Sequence, residues 1–190
     1  MVVDTRREIV QAFLRLAEKS PQKTSFTMKE IAEEAGITRQ AIYFKHFRNT
    51  EEIVSYIHNY FDNRIREAFY NYVNQSIQNP YHYVAKCILP LIYDGRDWAR
   101  ILYTTQVDKT WKSFLSEIYT RWGMEQLEIN KAISKFSTEE SVRLIVNMTM
   151  DIIEIWISQE NPIPPEEFED IFLHFVNTPL IGYVLPKDNQ

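Results

Sequence analysis

Four glycines, Gly36, Gly95, Gly123 and Gly182, are all that 190 residues contain. A β-rich chain needs a tight turn about every ten residues, and such turns draw on glycine for backbone angles that other residues resist. Their scarcity predicts an all-α chain of long helices. Hydrophobic residues make up 45% of the sequence, enough to fill a core and too many for a disordered chain. The length suits one sizeable core, or a small module fused to a larger one.

Apolar spacing places the helices. Ile9, Phe13, Leu16 and Ala17 recur at helical period from Thr5 to about Lys19, and Ser20-Pro21 ends that run. Thr27 and Glu30 have the spacing of a capping box, in which each side chain satisfies the other residue's backbone amide. Ile31, Ala32 and Ala35 then face inward, and Gly36 stands where a helix commonly closes on a left-handed residue. Thr38 caps a third, short helix over 38–45, and Asn49 caps a fourth, with Glu52 in the capping-box position. Ile53, Ile57, Phe61, Ile65 and Phe69 carry that fourth helix toward Asn79-Pro80, so one long helix over 50–78 joins two parts. Further helices are expected at about 81–94, 96–105, 108–130, 138–159 and 165–177, with boundaries good to about ±2–4 residues.

Helix, glycine turn and short helix over 27–45 form a tight unit with the geometry of a DNA-reading helix-turn-helix. Ile31, Ala35, Ile37 and Ile42 are apolar and inward. Arg39 and Gln40 stand at the start of the second helix, the end that meets base edges when such a helix enters the major groove. Arginine bridges guanine O6 and N7, and glutamine pairs with adenine N6 and N7. Phe47 reads as core. Tyr43 reads equally as core or as a phosphate contact, and Thr27 as a cap whose neighbouring amides also suit phosphate.

Net charge is −5, which by itself disfavours nucleic acid, but the charge is unevenly spread. Residues 1–50 hold nine Lys/Arg against six Asp/Glu, and residues 51–190 hold twelve against twenty. Phosphate attraction is local, screened within about 10 Å, so a basic head on an acidic body fits DNA binding through the head alone. The sequence therefore divides into a DNA-binding domain over 1–50 and a helical body over 51–190.

The stretch TMKEIAEEAGITRQAIYFKHFRNTEEIV (27–54) resembles the helix-turn-helix signature of the TetR family of transcriptional regulators. The likeness rests on the Thr-capped helix, Ile31-Ala32, Ala35 to Thr38, Tyr43, the His46-Phe47 pair and the acidic-capped helix that follows. Beyond about 45 residues it extends only to helical layout. It implies a homodimer on a near-palindromic operator, usually a repressor, with an effector pocket in the body and a dimer interface on the last two long helices. Two departures stand out. The family pattern has one residue between its tyrosine and the His-Phe pair, whereas Phe44 and Lys45 both intervene here. The lysine commonly found ahead of the next acidic pair is Thr50 here, which passes its phosphate contact to Lys45 or Arg48. The residues expected at DNA are Thr27, Thr38, Arg39, Gln40, Tyr43, Lys45 and His46.

The body is rich in aromatics. Trp98, Tyr103, Trp111, Phe114, Tyr119 and Trp122 are each either core or wall of an effector cavity, since ligand pockets are mainly apolar with aromatic walls. The helix at 138–159 is apolar on more than one face and must bury more than one. Ile145, Met148, Ile152, Trp156, Phe168, Phe172 and Phe175 are expected to pair with their two-fold copies as a four-helix interface.

Other classes find little support. His46, His58, His82 and His174 have no ligand spacing with one another or with Cys87, so no metal or other cofactor is expected. There is no Gly-rich phosphate loop, nucleophile elbow or acid/base pair of an enzyme. A lone cysteine, a charged beginning without a signal-peptide pattern and the lack of a membrane-length apolar run place the chain in the cytoplasm. The rival reading is a partner-dependent coactivator, or a protein-binding module of the same fold, with weak DNA binding of its own.

Overall fold

Asp4 opens the chain's first helix by accepting the Arg6 amide at 3.1 Å, and Ser20 closes it with its amide on the Leu16 and Ala17 carbonyls. The computed structural model describes residues 4–72 and 79–184, and every regular element among them is helical. The head comprises α1 (Thr5–Lys19), α2 (Met28–Ala35) and α3 (Arg39–Lys45), and α4 (Thr50–Tyr72) leads into the body. The stretch 73–78, expected to complete α4, lies outside the described residues.

The body continues through α5 (Pro80–Tyr83), a π-helical turn (Val84–Ile88), α6 (Leu89–Asp94), α7 (Arg96–Thr104), α8 (Trp111–Gln126), α9 (Thr138–Ile157), α10 (Pro165–Asn177) and a 3₁₀ turn (Leu180–Tyr183). The π turn ends just before Pro90, whose ring would press on the Lys86 carbonyl in a regular helix. α8 is shorter than the 108–130 its sequence suggests. Asp108 accepts the Thr110 amide at 2.9 Å, an Asx-type turn that competes with helix at that end, and Leu127 is extended at the other.

One apolar cluster runs from head to body. In the head Ile9, Phe13, Ile31 and Ile42 are fully buried, and Phe13 meets Phe26 edge-on at 6.2 Å. In the body, α8 lies so close to α9 that a Cβ on Gly123 would stand 2.6 Å from Val142 Cγ1. α9 begins with a second capping box, Ser137 with Glu140.

The interface residues expected on α9 and α10 divide by depth. Trp156, Phe168 and Phe172 are buried within the protomer. Trp156 stacks on Tyr93 and on Phe168 at 5.8 and 4.4 Å, and its indole N–H donates to the Ile163 carbonyl at 2.9 Å. These three therefore belong to the chain's own core rather than to its surface. Ile145 and Ile152 are half-buried, while Met148 and Phe175 are exposed and joined by Leu144, Ile155 and Ile171. The helices are apolar on two faces, as their composition requires, and the outward face is offset from the expected one.

Head and body are tied at several points. Arg100 of α7 pairs with Glu18 of α1, and the Gln106 amide donates to the Pro21 carbonyl at 2.8 Å. The Thr50 hydroxyl donates to the Phe26 carbonyl at 3.1 Å. Thr50 thus locks α4 to the α1–α2 loop, a task different from the phosphate contact that a lysine there would make. Among the described residues no helix is long and apolar enough to cross a membrane.

Candidate nucleic-acid interface

Local chemistry builds the reading unit. Thr27 caps α2 as a complete capping box: its hydroxyl accepts the Glu30 amide at 3.2 Å, and Glu30 accepts the Thr27 amide at 2.7 Å. The Lys23 ammonium, 2.5 Å from the same carboxylate, and the Thr27 amide and hydroxyl hold Glu30 down at about 2. The Thr27 hydroxyl is therefore already engaged, beside a carboxylate. Gly36 ends α2 at φ 67°, ψ 27°, and the Ile37 amide reaches back to the Ala32 carbonyl at 3.1 Å. This closure turns the chain sharply into α3. Thr38 then caps α3 by accepting the Ala41 amide at 3.1 Å.

α3 rests on Ile42, which is fully buried, with Phe47 buried at its far end against Tyr56. Arg39, Gln40, Tyr43, Phe44 and Lys45 are exposed, and His46 is half-buried. Tyr43, 45% exposed, is a surface residue and so open to a phosphate. The additional residue ahead of His46-Phe47 produces no break. The Ile42 carbonyl accepts both the His46 amide at 2.9 Å and the Phe47 amide at 3.1 Å, so α3 closes in a wide turn that brings Phe47 into the core.

Cations around α3 differ in availability. Lys23, Lys29 and Arg48 are paired with Glu30, Glu33 and Glu52. Among the described residues Arg39 and Lys45 have no acidic partner. Asn49 accepts the Glu52 amide at 2.9 Å as the cap of α4, but Glu52 reaches the Arg48 amide at 2.8 Å rather than that of Asn49. Arg48 is thereby paired with the first turn of α4 while its side chain stays exposed.

Five of the six candidate pocket aromatics distribute over three spaces. A cavity of about 200 Å³ lies between α4, the α5–α6 run, α8 and α9, with Phe69, Ile88, Tyr119, Trp122, Val146 and Ile153 in its wall. Tyr103 and Trp111 line an adjoining void of about 30 Å³ that shares Tyr119, Met150 and Ile153 with it. Trp98 instead borders a polar cleft of about 300 Å³ between α1 and the body. Phe114 lines none of these and stacks on His58 at 4.0 Å. Among the described residues the apolar cavity has no lysine, arginine or histidine in its wall. Its ionisable lining residues are Tyr81, Tyr119 and Glu128, and burial pushes both tyrosines up, keeping them neutral. The aliphatic wall from Ile88, Ile145, Val146 and Ile153 had no distinguishing signal in the sequence, because such residues are what any helix core uses.

The geometry of 27–47 has a counterpart among known proteins. Residues 23–57 match the family model described as bacterial regulatory proteins, tetR family. No curated protein matches the chain. Among solved structures, the TetR transcriptional regulator from Streptococcus agalactiae covers 90% of this chain and 93% of its own, at 15% identity and TM-score 0.59. The dihydroxyacetone kinase operon activator DhaS covers 92% and 94%, at 17% identity and TM-score 0.55. Residues 23–57 thus match the helix-turn-helix of the tetR family, carried on an all-helical body whose fold is that of the TetR transcriptional regulator from Streptococcus agalactiae.

Proposed function

We propose that the chain is a cytoplasmic, DNA-binding transcriptional regulator that acts as a homodimer. The observation that carries this reading is α3 itself: a capped helix whose exposed side presents Arg39 and Gln40, with Lys45 free of acidic partners among the described residues, inside the matched segment. Two copies enter successive major grooves about 34–36 Å apart. Arg39 and Gln40 read bases, while Tyr43, Lys45 and His46 contact phosphate. Thr27 and Thr38 order the amides at their helix starts. The dimer forms through the exposed face of α9 and α10, including Met148 and Phe175, and repression follows from occupancy of the operator alone.

The effector is a small, uncharged, mainly apolar molecule in the cavity behind Tyr119 and Trp122. A wall that is apolar and has no cation among the described residues disfavours an anion, whose desolvation would go uncompensated. Such a ligand shifts the heads only through its differential affinity for the two states. One observation favours a second reading, a partner-dependent activator: one solved structure with the same fold is named an operon activator.

Selection of random duplexes on the purified protein, followed by binding to the winning site at two salt concentrations, tests the proposal. A palindromic site taken by two protomers, with affinity falling steeply in salt, supports autonomous DNA reading. No enriched site from a folded dimer moves the function to the partner-dependent reading.

A further inference from the structure

The exposed face of α3 carries a residue whose chemistry hydrogen-bond readout does not use. Ile42 marks the buried side of the helix, at 0% exposure. With 3.6 residues per turn, Gln40 and Phe44 each lie about 160° from Ile42, on either side of the outward pole, whereas Arg39 and Lys45 lie only about 60° from it. Phe44 is 84% exposed, nearly twice as much as Tyr43. It makes no aromatic contact among the described residues, while Phe47, three positions on, fills the core corner beside Tyr56. Phe44 therefore contributes little to holding the head together, and it shares the outward side of the reading helix with Gln40.

We infer that Phe44 is a specificity residue that reads a thymine methyl group in the major groove. The inference rests on the DNA-reading role of α3. A phenyl ring has nothing to donate or accept, and the apolar feature that bases present in that groove is the C5-methyl of thymine. Gln40, one turn earlier on the same face, suits adenine N6 and N7. The rise from residue 40 to residue 44 is about 6 Å, close to two base steps. The pair therefore favours a half-site in which an adenine and a methyl-bearing thymine stand about two steps apart. Covering the ring against that methyl removes apolar surface from water that the free protein leaves exposed.

The test uses the full-length dimer and its selected operator, with each thymine replaced in turn by deoxyuridine, which removes only the methyl. Wild-type protein is expected to lose about three- to tenfold in affinity at one position per half-site. Phe44→Ala is expected to bind the unmodified operator more weakly by a similar factor and to be indifferent to deoxyuridine at that position, while Phe44→Leu keeps the sensitivity. If wild type binds its operator with a steep salt dependence yet no deoxyuridine position weakens it, the Phe44 assignment is overturned and DNA reading stands. The assignment is equally overturned if Phe44→Ala retains the full methyl sensitivity. If wild type selects no site at all, DNA reading fails and the Phe44 assignment fails with it. The wild-type scan alone decides the matter should the alanine variant not fold.

Discussion

Nε2 of His58 lies 2.5 Å from Oδ2 of Asp108, fifty residues further along the chain. That bond ties α4, which leads from the head, to the loop that starts α8. The Asp108 side chain, only 3% exposed, also accepts from the amide and hydroxyl of Thr110 at 2.9 and 2.7 Å. As a carboxylate can only accept, the histidine nitrogen donates. α8 goes on to supply Tyr119 and Trp122 to the apolar cavity, where Phe69 of α4 also stands, so the pair joins two helices of the cavity wall close to the head.

Replacing Asp108 with asparagine should therefore destabilise the fold by about 1–3 kcal/mol at neutral pH, because a buried charged acceptor of three bonds is lost. Burial pushes the carboxyl up, but the bonds from His58 and Thr110 outweigh it and leave Asp108 below its ordinary 3.8. A depressed value means the contribution is present above the unfolded pKa and is lost as pH falls through the folded one. Urea melts should show the gap between wild type and Asp108→Asn at pH 7 and a shrinking gap below about pH 4. A gap that stays constant with pH would show that Asp108 is not the ionised partner described.

Phe172 and Phe175 sit on the same helix with opposite duties. Phe172 is fully buried and Phe175 is 43% exposed. Phe172→Ala should cost about 3–5 kcal/mol of stability. Phe175→Ala should leave thermal unfolding of the protomer nearly unchanged and instead weaken self-association, measured by sedimentation at decreasing concentration. Equal effects of the two on melting, with none on association, would remove α10 from the dimer surface.

Gly123→Ala is predicted to be harmful despite alanine's better helix propensity. The new methyl would stand 2.6 Å from Val142 Cγ1, and overpacking of this kind costs about 1–3 kcal/mol. Val142→Ala should recover part of that loss when combined with it. Calorimetry on the two single variants and the double variant measures the coupling.

At Gly36 the obstacle is conformation rather than space. A Cβ added there would meet nothing within 4 Å, yet φ is +67°. Gly36→Ala should lower stability by about 1–2 kcal/mol, and Gly36→Asn by less, since asparagine tolerates the left-handed region better. A reversed order in chemical denaturation would argue that the turn relaxes to another conformation.

Replacing Arg39 with alanine should weaken operator binding by about 1–3 kcal/mol and relax preference at one base pair per half-site. Uniform weakening on every duplex would instead make Arg39 a phosphate contact. Competition binding against single-base variants of the operator distinguishes the two.

Much of the head was legible because its signals are local. The Thr27–Glu30 box, the left-handed Gly36, the Thr38 cap and the buried Phe47 each follow from a few neighbouring residues and stand where the pattern put them. The body's outward face was not legible in the same way. Along α9 and α10 apolar residues surround the helix, and nothing in their order says which side meets the protomer and which meets water. Trp156 shows the difficulty: its depth depends on Tyr93, Phe168 and the Ile163 carbonyl, partners brought together only by the fold. Thr50 was equally opaque, since its hydroxyl answers a carbonyl twenty-four residues away. The aromatics from Trp98 to Trp122 scattered over different spaces for the same reason, as each faces whatever helix the topology supplies.

The double acceptor at the Ile42 carbonyl, which takes the amides of both His46 and Phe47, bears on how such a helix can change over time. One residue inserted into a regular helix rotates everything after it by about 100°, which would normally swing Phe47 out of its socket and unseat α4. The wide closing turn absorbs that rotation within a single step. Insertion at this point is therefore close to neutral for folding while it alters what the helix presents to the groove. A lineage could lengthen its reading surface here without first finding compensating changes in the core.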